Sequence, residues 1–182
     1  MTRPQLRKPR DTLLAAAKFL TMLLTGLTIF AMAMVGLATG AVLTVQRAEI
    51  LEKLARAGEG SLAFWVLIIV LLAIFAVLWL GYHFFARLYE LIRSVDQGDP
   101  FRPENAVLLE RMGWISAIAQ LVLLAVTLPA KWMVAIAKEV GDKVTFDSGI
   151  GIGSLLLTLV LFVLARVFRH GAEMRQDLEG TV

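Results

Sequence analysis

The sequence predicts an all-α integral membrane protein, a four-helix bundle with both termini cytoplasmic and amphipathic helix extensions on the cytoplasmic side. Three observations predict it. Hydrophobic residues make up 58% of the 182 positions and mean hydropathy is +0.75, against roughly 45–50% apolar content in soluble domains. The surplus is gathered into four blocks, each near the ~20 apolar residues that a helix needs to cross a bilayer. Basic residues flank those blocks unevenly.

The first block, Leu13–Val45, follows Asp11 and Thr12, both suited to cap a helix, and ends where Gln46 and Arg47 restore polarity. It is far longer than the roughly 7–15 residues of a signal-peptide core, so it reads as an uncleaved span. Helical character continues beyond it. Ile50, Leu51 and Leu54 share one face, and Glu49/Lys53 and Glu52/Arg56 are spaced to pair across one turn. Gly58 and Gly60 are the expected terminators.

The second span covers 62–86 and continues through Arg87–Gln97, where Leu88, Leu91, Ile92 and Val95 keep the i, i+3, i+4, i+7 pattern. Gly98-Asp99-Pro100 stops it. Pro103 suits the first position of the next helix, where its missing N–H is not needed. The cytoplasmic loop is thus 87–113, and the third span is 114–134. Pro129 removes one backbone hydrogen bond within that span and is expected to bend it near Ala125. The fourth span is 150–167, followed by a cytoplasmic tail, 168–182. The whole chain reads as a single membrane domain.

Topology follows from Lys and Arg alone. With both termini inside, twelve basic residues are cytoplasmic (Arg3, Arg7, Lys8, Arg10 and Lys18; Arg87, Arg93, Arg102 and Arg111; Arg166, Arg169 and Arg175) and six are outside. A net charge of +3 and a pI of 9.5 therefore reflect loop charge, and no direct nucleic-acid contact is expected. The absence of cysteine excludes disulfides, thiolate metal sites and S-palmitoylation.

Lipid tails are as apolar as leucine, so spans associate through close packing and interhelical hydrogen bonds. Gly36 and Gly40 form a small-xxx-small pair in span one, and Gly149 and Gly153 repeat the spacing in span four. A pairing of these spans is expected, although glycine is common in membrane helices in any case. Thr21, Thr25 and Thr28 form a polar stripe, and such threonines usually bond back to their own helix. Gln120 carries an amide that needs partners, either across a helix interface or at a lipid edge.

Reactive constellations are missing from the pattern. No Ser–His pair, buried aspartate pair or HExxH helix suggests an intramembrane protease. Lys18, Lys131 and Arg166 lie near span ends, where they can snorkel. A bis-histidine haem would need His83 and His170 to converge. Instead His83 belongs to an interfacial Trp79/Tyr82/His83 cluster, and His170 to a charged Arg166/Arg169/His170/Glu173/Asp177 face. No cofactor, metal site or catalytic residue is expected. Gly149, Gly151 and Gly153 lack the lysine and the preceding strand of a phosphate loop.

Gly98-Asp99-Pro100-Phe101, followed by Asn105, Leu109 and Gly113-Trp114, resembles the central signature of a bacterial membrane family, domain-of-unknown-function family 2975. The ending from Leu164 through Phe168, Gly171, Asp177, Glu179 and Gly180 to Val182 is similar to that family's C-terminus. The resemblance covers about the last two thirds of the chain and leaves out the basic N-terminus and first helix. It implies four spans, a Pro-Phe-x-x-x-Asn loop between spans two and three, and an Asp-x-Glu-Gly-x-Val tail. Members often occur beside a small Cro-like helix-turn-helix regulator, which implies such a regulator as a partner. No activity is established for the family.

The expectation is a non-enzymatic protein of the bacterial inner membrane whose cytoplasmic face docks a protein. It would sequester a helix-turn-helix regulator or sense membrane state. The docking candidates are Asp99, Phe101, Asn105, Arg166, Arg169, Glu173, Asp177 and Glu179. The helix-packing candidates are Gly36, Gly40, Gln120, Gly149 and Gly153. The alternatives are an accessory subunit of a larger membrane complex, or a small transporter or channel working as an oligomer.

Overall fold

The computed structural model of the protein describes residues 12–98, 100–139, 145 and 151–179, with Leu178 and Glu179 described for their backbone alone. Five helices follow one another: α1 (Thr12–Leu43), α2 (Arg47–Arg56), α3 (Ser61–Asp96), α4 (Pro103–Glu139) and α5 (Ile152–Glu179). All but α2 are long and apolar enough to span a membrane.

Helix length explains the extensions. The 36 residues of α3 and 37 of α4 are each about 55 Å long at 1.5 Å per residue, against roughly 30 Å of hydrocarbon. About 25 Å of each helix therefore lies beyond the apolar core. The expected extension of span two is one unbroken helix with it. The helix beginning at Pro103 likewise runs straight into span three and continues through Pro129.

Turn chemistry sets the boundaries. Gly58 has φ +77°, and the N–H groups of Gly58 and Glu59 reach the carbonyls of Ala55 (3.0 Å) and Leu54 (2.9 Å). These are the paired bonds of a Schellman motif, which need a residue tolerant of left-handed backbone. Gly98, at φ +86°, ends α3 in the same way, with its N–H 3.0 Å from the Val95 carbonyl. Between α1 and α2 the helix does break, at Thr44–Gln46, where the Gln46 N–H reaches back to the Ala41 carbonyl at 2.9 Å.

The long helices form an open row. α1 packs on α3, α3 on α4, and α4 on α5. Each end helix therefore has one principal neighbour, and most of its surface is left to lipid. This overturns the expected pairing of spans one and four. A β-carbon on Gly36 would meet Phe75 of α3 at 3.9 Å, whereas Gly40 and Gly153 face open space; Gly149 lies outside the described residues. The α1 threonines bond to their own helix, Thr21 to the Ala17 carbonyl, Thr25 to Thr21 and Thr28 to Leu24, each at 2.7–2.8 Å.

Packing is concentrated at both ends and in the middle of α3·α4. At one end α2 folds back so that Leu54 is buried with Val42, Ala63, Phe64, Ile68 and Ile136. The opposite face of α2 carries Glu49–Lys53 (2.9 Å) and Glu52–Arg56 (2.6 Å). The Lys53 ammonium holds the Glu49 carboxyl below the usual glutamate range, first by its hydrogen bond and then by its charge. In the middle, Val70, Val126 and Ala130 interlock. At the far end Leu109, Met112, Leu161 and Ala165 pack against Leu88 and Leu91 of the α3 extension.

Candidate docking rim

The rim consists of the start of α1, the end of α3, residues 97–102, the start of α4 and the end of α5. It is the end expected to be cytoplasmic. Antiparallel connection brings these segments together, and a polar clasp holds each successive helix pair. Lys18 pairs with Asp96 at 2.5 Å between α1 and α3, and Arg169 with Glu110 at 2.5 Å between α5 and α4. Between α3 and α4 the clasp is buried. Asn105 Nδ2 donates to the Pro100 carbonyl at 2.7 Å. The Ser94 hydroxyl shares its one proton between Asn105 Oδ1 (2.9 Å) and the Leu91 carbonyl (2.8 Å).

Asn105 is only 1% exposed. Its geometry assigns it to closing the 97–102 turn onto α3, and its place among the surface docking candidates is corrected accordingly. A buried amide is costly unless its hydrogen bonds are made, which explains why asparagine stands at the third position of an otherwise ordinary helix start. Arg169 is occupied by Glu110, so it joins helices in addition to facing solvent.

Phe101 behaves differently. An apolar residue in a polar turn, it is 43% exposed. One side of its ring rests on α5, with its centroid 5.4 Å from that of Phe168. Gly171 makes this seat: a β-carbon there would lie 2.8 Å from Phe101 Cδ1. The other side faces a groove of about 600 Å³ lined by Phe101, Arg166, Val167, His170, Gly171 and Met174. Val167 and Met174 are also exposed large apolar residues. Arg166 is exposed and makes no ion pair among the described residues, while His170 stands 3.4 Å from Glu173. The groove thus has an apolar floor and a basic edge.

The structure brings together Phe101, Arg166, Arg169 and Glu173 on one rim. Asp177 lies further along the exposed face of α5 and has an interaction of its own. Asp99 and the side chain of Glu179 lie outside the described residues. His83 sits against Trp79 and Tyr82, ring centroids 5.1 and 5.3 Å away, on α3. Among the described residues no group of three or more His, Asp or Glu side chains converges as a metal site would require.

One packing device escapes a reading of the sequence. Gly113 lets α5 approach α4: a β-carbon there would be 3.0 Å from the Phe162 ring, which stacks edge-on with Trp114 at 5.5 Å. Gln120 is the centre of a polar cluster across α4·α5. Its Nε2 donates to Thr158 Oγ1 (2.6 Å) and the Ser154 carbonyl (3.0 Å), and Ser116 meets Thr158 at 2.7 Å. The Gly113-Trp114 and Phe168/Gly171 pairs stand in the sequence motifs, but sequence alone does not say which rings fill the space above the glycines.

Four helices of spanning length, joined at one end by polar clasps, define a multi-pass helical membrane protein. The chain belongs to the family described as protein of unknown function, DUF2975, which matches residues 50–182. The match begins within α2, so α1 lies outside it, as the signature residues imply. No curated protein and no solved structure matches the chain.

Proposed function

We propose that this is a non-enzymatic protein of the bacterial inner membrane whose cytoplasmic rim docks a soluble protein through the groove beside Phe101. One observation carries the proposal: a phenylalanine in a polar turn is held 43% exposed on a glycine seat, beside exposed Arg166, which makes no ion pair among the described residues. Apolar floor and basic edge suit an amphipathic helix with acidic flanks. A small helix-turn-helix regulator, the partner implied by family resemblance, can supply such a helix. Sequestration at the bilayer is the corresponding role.

The test is purification of the full chain from native membranes in mild detergent, with identification of what stays bound. A soluble protein at stoichiometric level, lost from both Phe101→Ser and Arg166→Glu while the variants still fold, supports docking. Wild-type protein that emerges alone, or with a partner indifferent to both changes, sinks it.

A second reading is favoured by the open row of helices. α1 and α5 each leave a face with space above a glycine, Gly40 and Gly153, and such faces suit another transmembrane helix. An accessory subunit of a larger complex, or an oligomeric transporter or channel, would use them. Co-purifying membrane subunits, or a defined oligomer, would support this reading.

A further inference from the structure

At the α2 end of the molecule an apolar cavity of about 450 Å³ opens between α2, α3 and α4. Leu54, Leu67, Leu71, Met133 and Ala137 form its walls, with Lys53 and Thr145 at its margin. A second groove of about 390 Å³ runs beside it, lined by Lys131 and Lys138, and shares Val134 and Thr145 with the cavity. The two lie side by side, an apolar chamber next to a basic channel.

Its size falls within the roughly 300–1,000 Å³ of small-molecule sites. Water is a poor occupant, because it needs two to four polar partners and the walls offer almost none. An acyl chain fits the walls and is supplied by the surrounding bilayer. Lys131 and Lys138, seven residues apart, lie on one face of α4 and are both exposed. Among the described residues, the acids of α2 are held by its own cations, Glu49 by Lys53 at 2.9 Å and Glu52 by Arg56 at 2.6 Å, and Glu139 stands at the end of α4. The described residues that line the channel include two cations and no acid, so a phosphate is drawn there.

We propose that cavity and channel form a site for one anionic phospholipid, an acyl chain lying between α2, α3 and α4 and its phosphate at Lys131 and Lys138. The site is independent of the docking rim, at the other end of the helices. A zwitterionic lipid would fill the chamber but gain less from the lysines, because its own ammonium offsets its phosphate, and inorganic phosphate would use the lysines without filling the chamber.

The full chain in mild detergent is titrated, with native mass spectrometry as readout, with phosphatidylglycerol, with phosphatidylcholine of identical chains, and with inorganic phosphate. The expected result is one bound phosphatidylglycerol per chain, preferred about thirtyfold over phosphatidylcholine, as two lysines near a lipid headgroup would give. Lys131→Gln/Lys138→Gln, both on the surface, should erase the preference and leave phosphatidylcholine binding intact. Ala137→Trp should fill the chamber and release both lipids. Equal binding of the two lipids by the wild type overturns the proposal, as does phosphatidylglycerol binding unchanged in the lysine variant. Competition by inorganic phosphate at concentrations comparable to the lipid would reassign the channel to the free ion. If Ala137→Trp fails to fold, the lysine variant decides.

Discussion

Asn105 shows how a single side chain can fix a turn. It satisfies the Pro100 carbonyl and the Ser94 hydroxyl at once, while only 1% exposed. Asn105→Leu leaves both groups without that partner, and a lost buried hydrogen-bond partner costs about 1–3 kcal/mol. Thermal unfolding in detergent should register that loss, together with faster proteolysis at 97–102; an unchanged melt would mean that water replaces the amide. Gln120 should be worth less. Its bonds join α4 to α5, but interhelical bonds in membranes average about 0.6 kcal/mol with a maximum near 1.7. Gln120→Leu is expected to stay within that range in a reversible unfolding assay. Gly171→Ala sets two effects against each other. Alanine gains about 1 kcal/mol of helix propensity, while its methyl displaces the Phe101 ring. Stability should change little, whereas partner capture through Phe101 should fall; capture at the wild-type level would show that the seat is not used.

Among the elements, α4·α5 is the interface where fit matters most. Gly113 faces the Phe162 ring at 3.0 Å, and overpacking typically costs about 1–3 kcal/mol. Gly113→Leu should destabilise the pair by at least that much. Adding Phe162→Ala should recover part of the loss, giving a coupling energy of about 0.5–3 kcal/mol in a double-mutant cycle; strict additivity would rule out the contact. α2 obeys different physics because it lies at the helix ends. Its one buried residue, Leu54, is held by apolar burial worth about 1.5–3 kcal/mol for such a side chain. The ion pairs on its other face are exposed and add little.

On the scale of the whole molecule, the open row decides what surfaces exist. A closed bundle would cover both α1 and α5, whereas a row leaves each with a lipid-facing side. Orientation rests on the twelve-to-six distribution of basic residues. A green fluorescent protein fused to the C-terminus should fluoresce, and alkaline phosphatase at the same place should be inactive. The reverse pattern would put the Phe101 groove outside the cell and remove cytoplasmic docking.

Much of this architecture is written locally. Apolar blocks reveal the spans because a bilayer requires runs of apolar residues with internally satisfied backbone. Gly58, Gly98 and Pro103 mark helix ends because left-handed turns and first-turn positions favour those residues. The periodicity of Leu88 and Leu91 foretells that the α3 extension packs on a neighbour. The motifs around Phe101 and Gly171 carry the resemblance to the family whose model matches residues 50–182. Only the tertiary structure decided which helices touch. A small-xxx-small spacing says that close approach is available and not by whom: Gly36 faces Phe75 of α3, and Gly40 faces open space. The exposure of Phe101, the burial of Asn105 and the chamber beneath α2 were likewise settled there. Each depends on side chains from helices far apart in sequence, brought together by packing that hydrophobicity alone cannot direct inside a membrane.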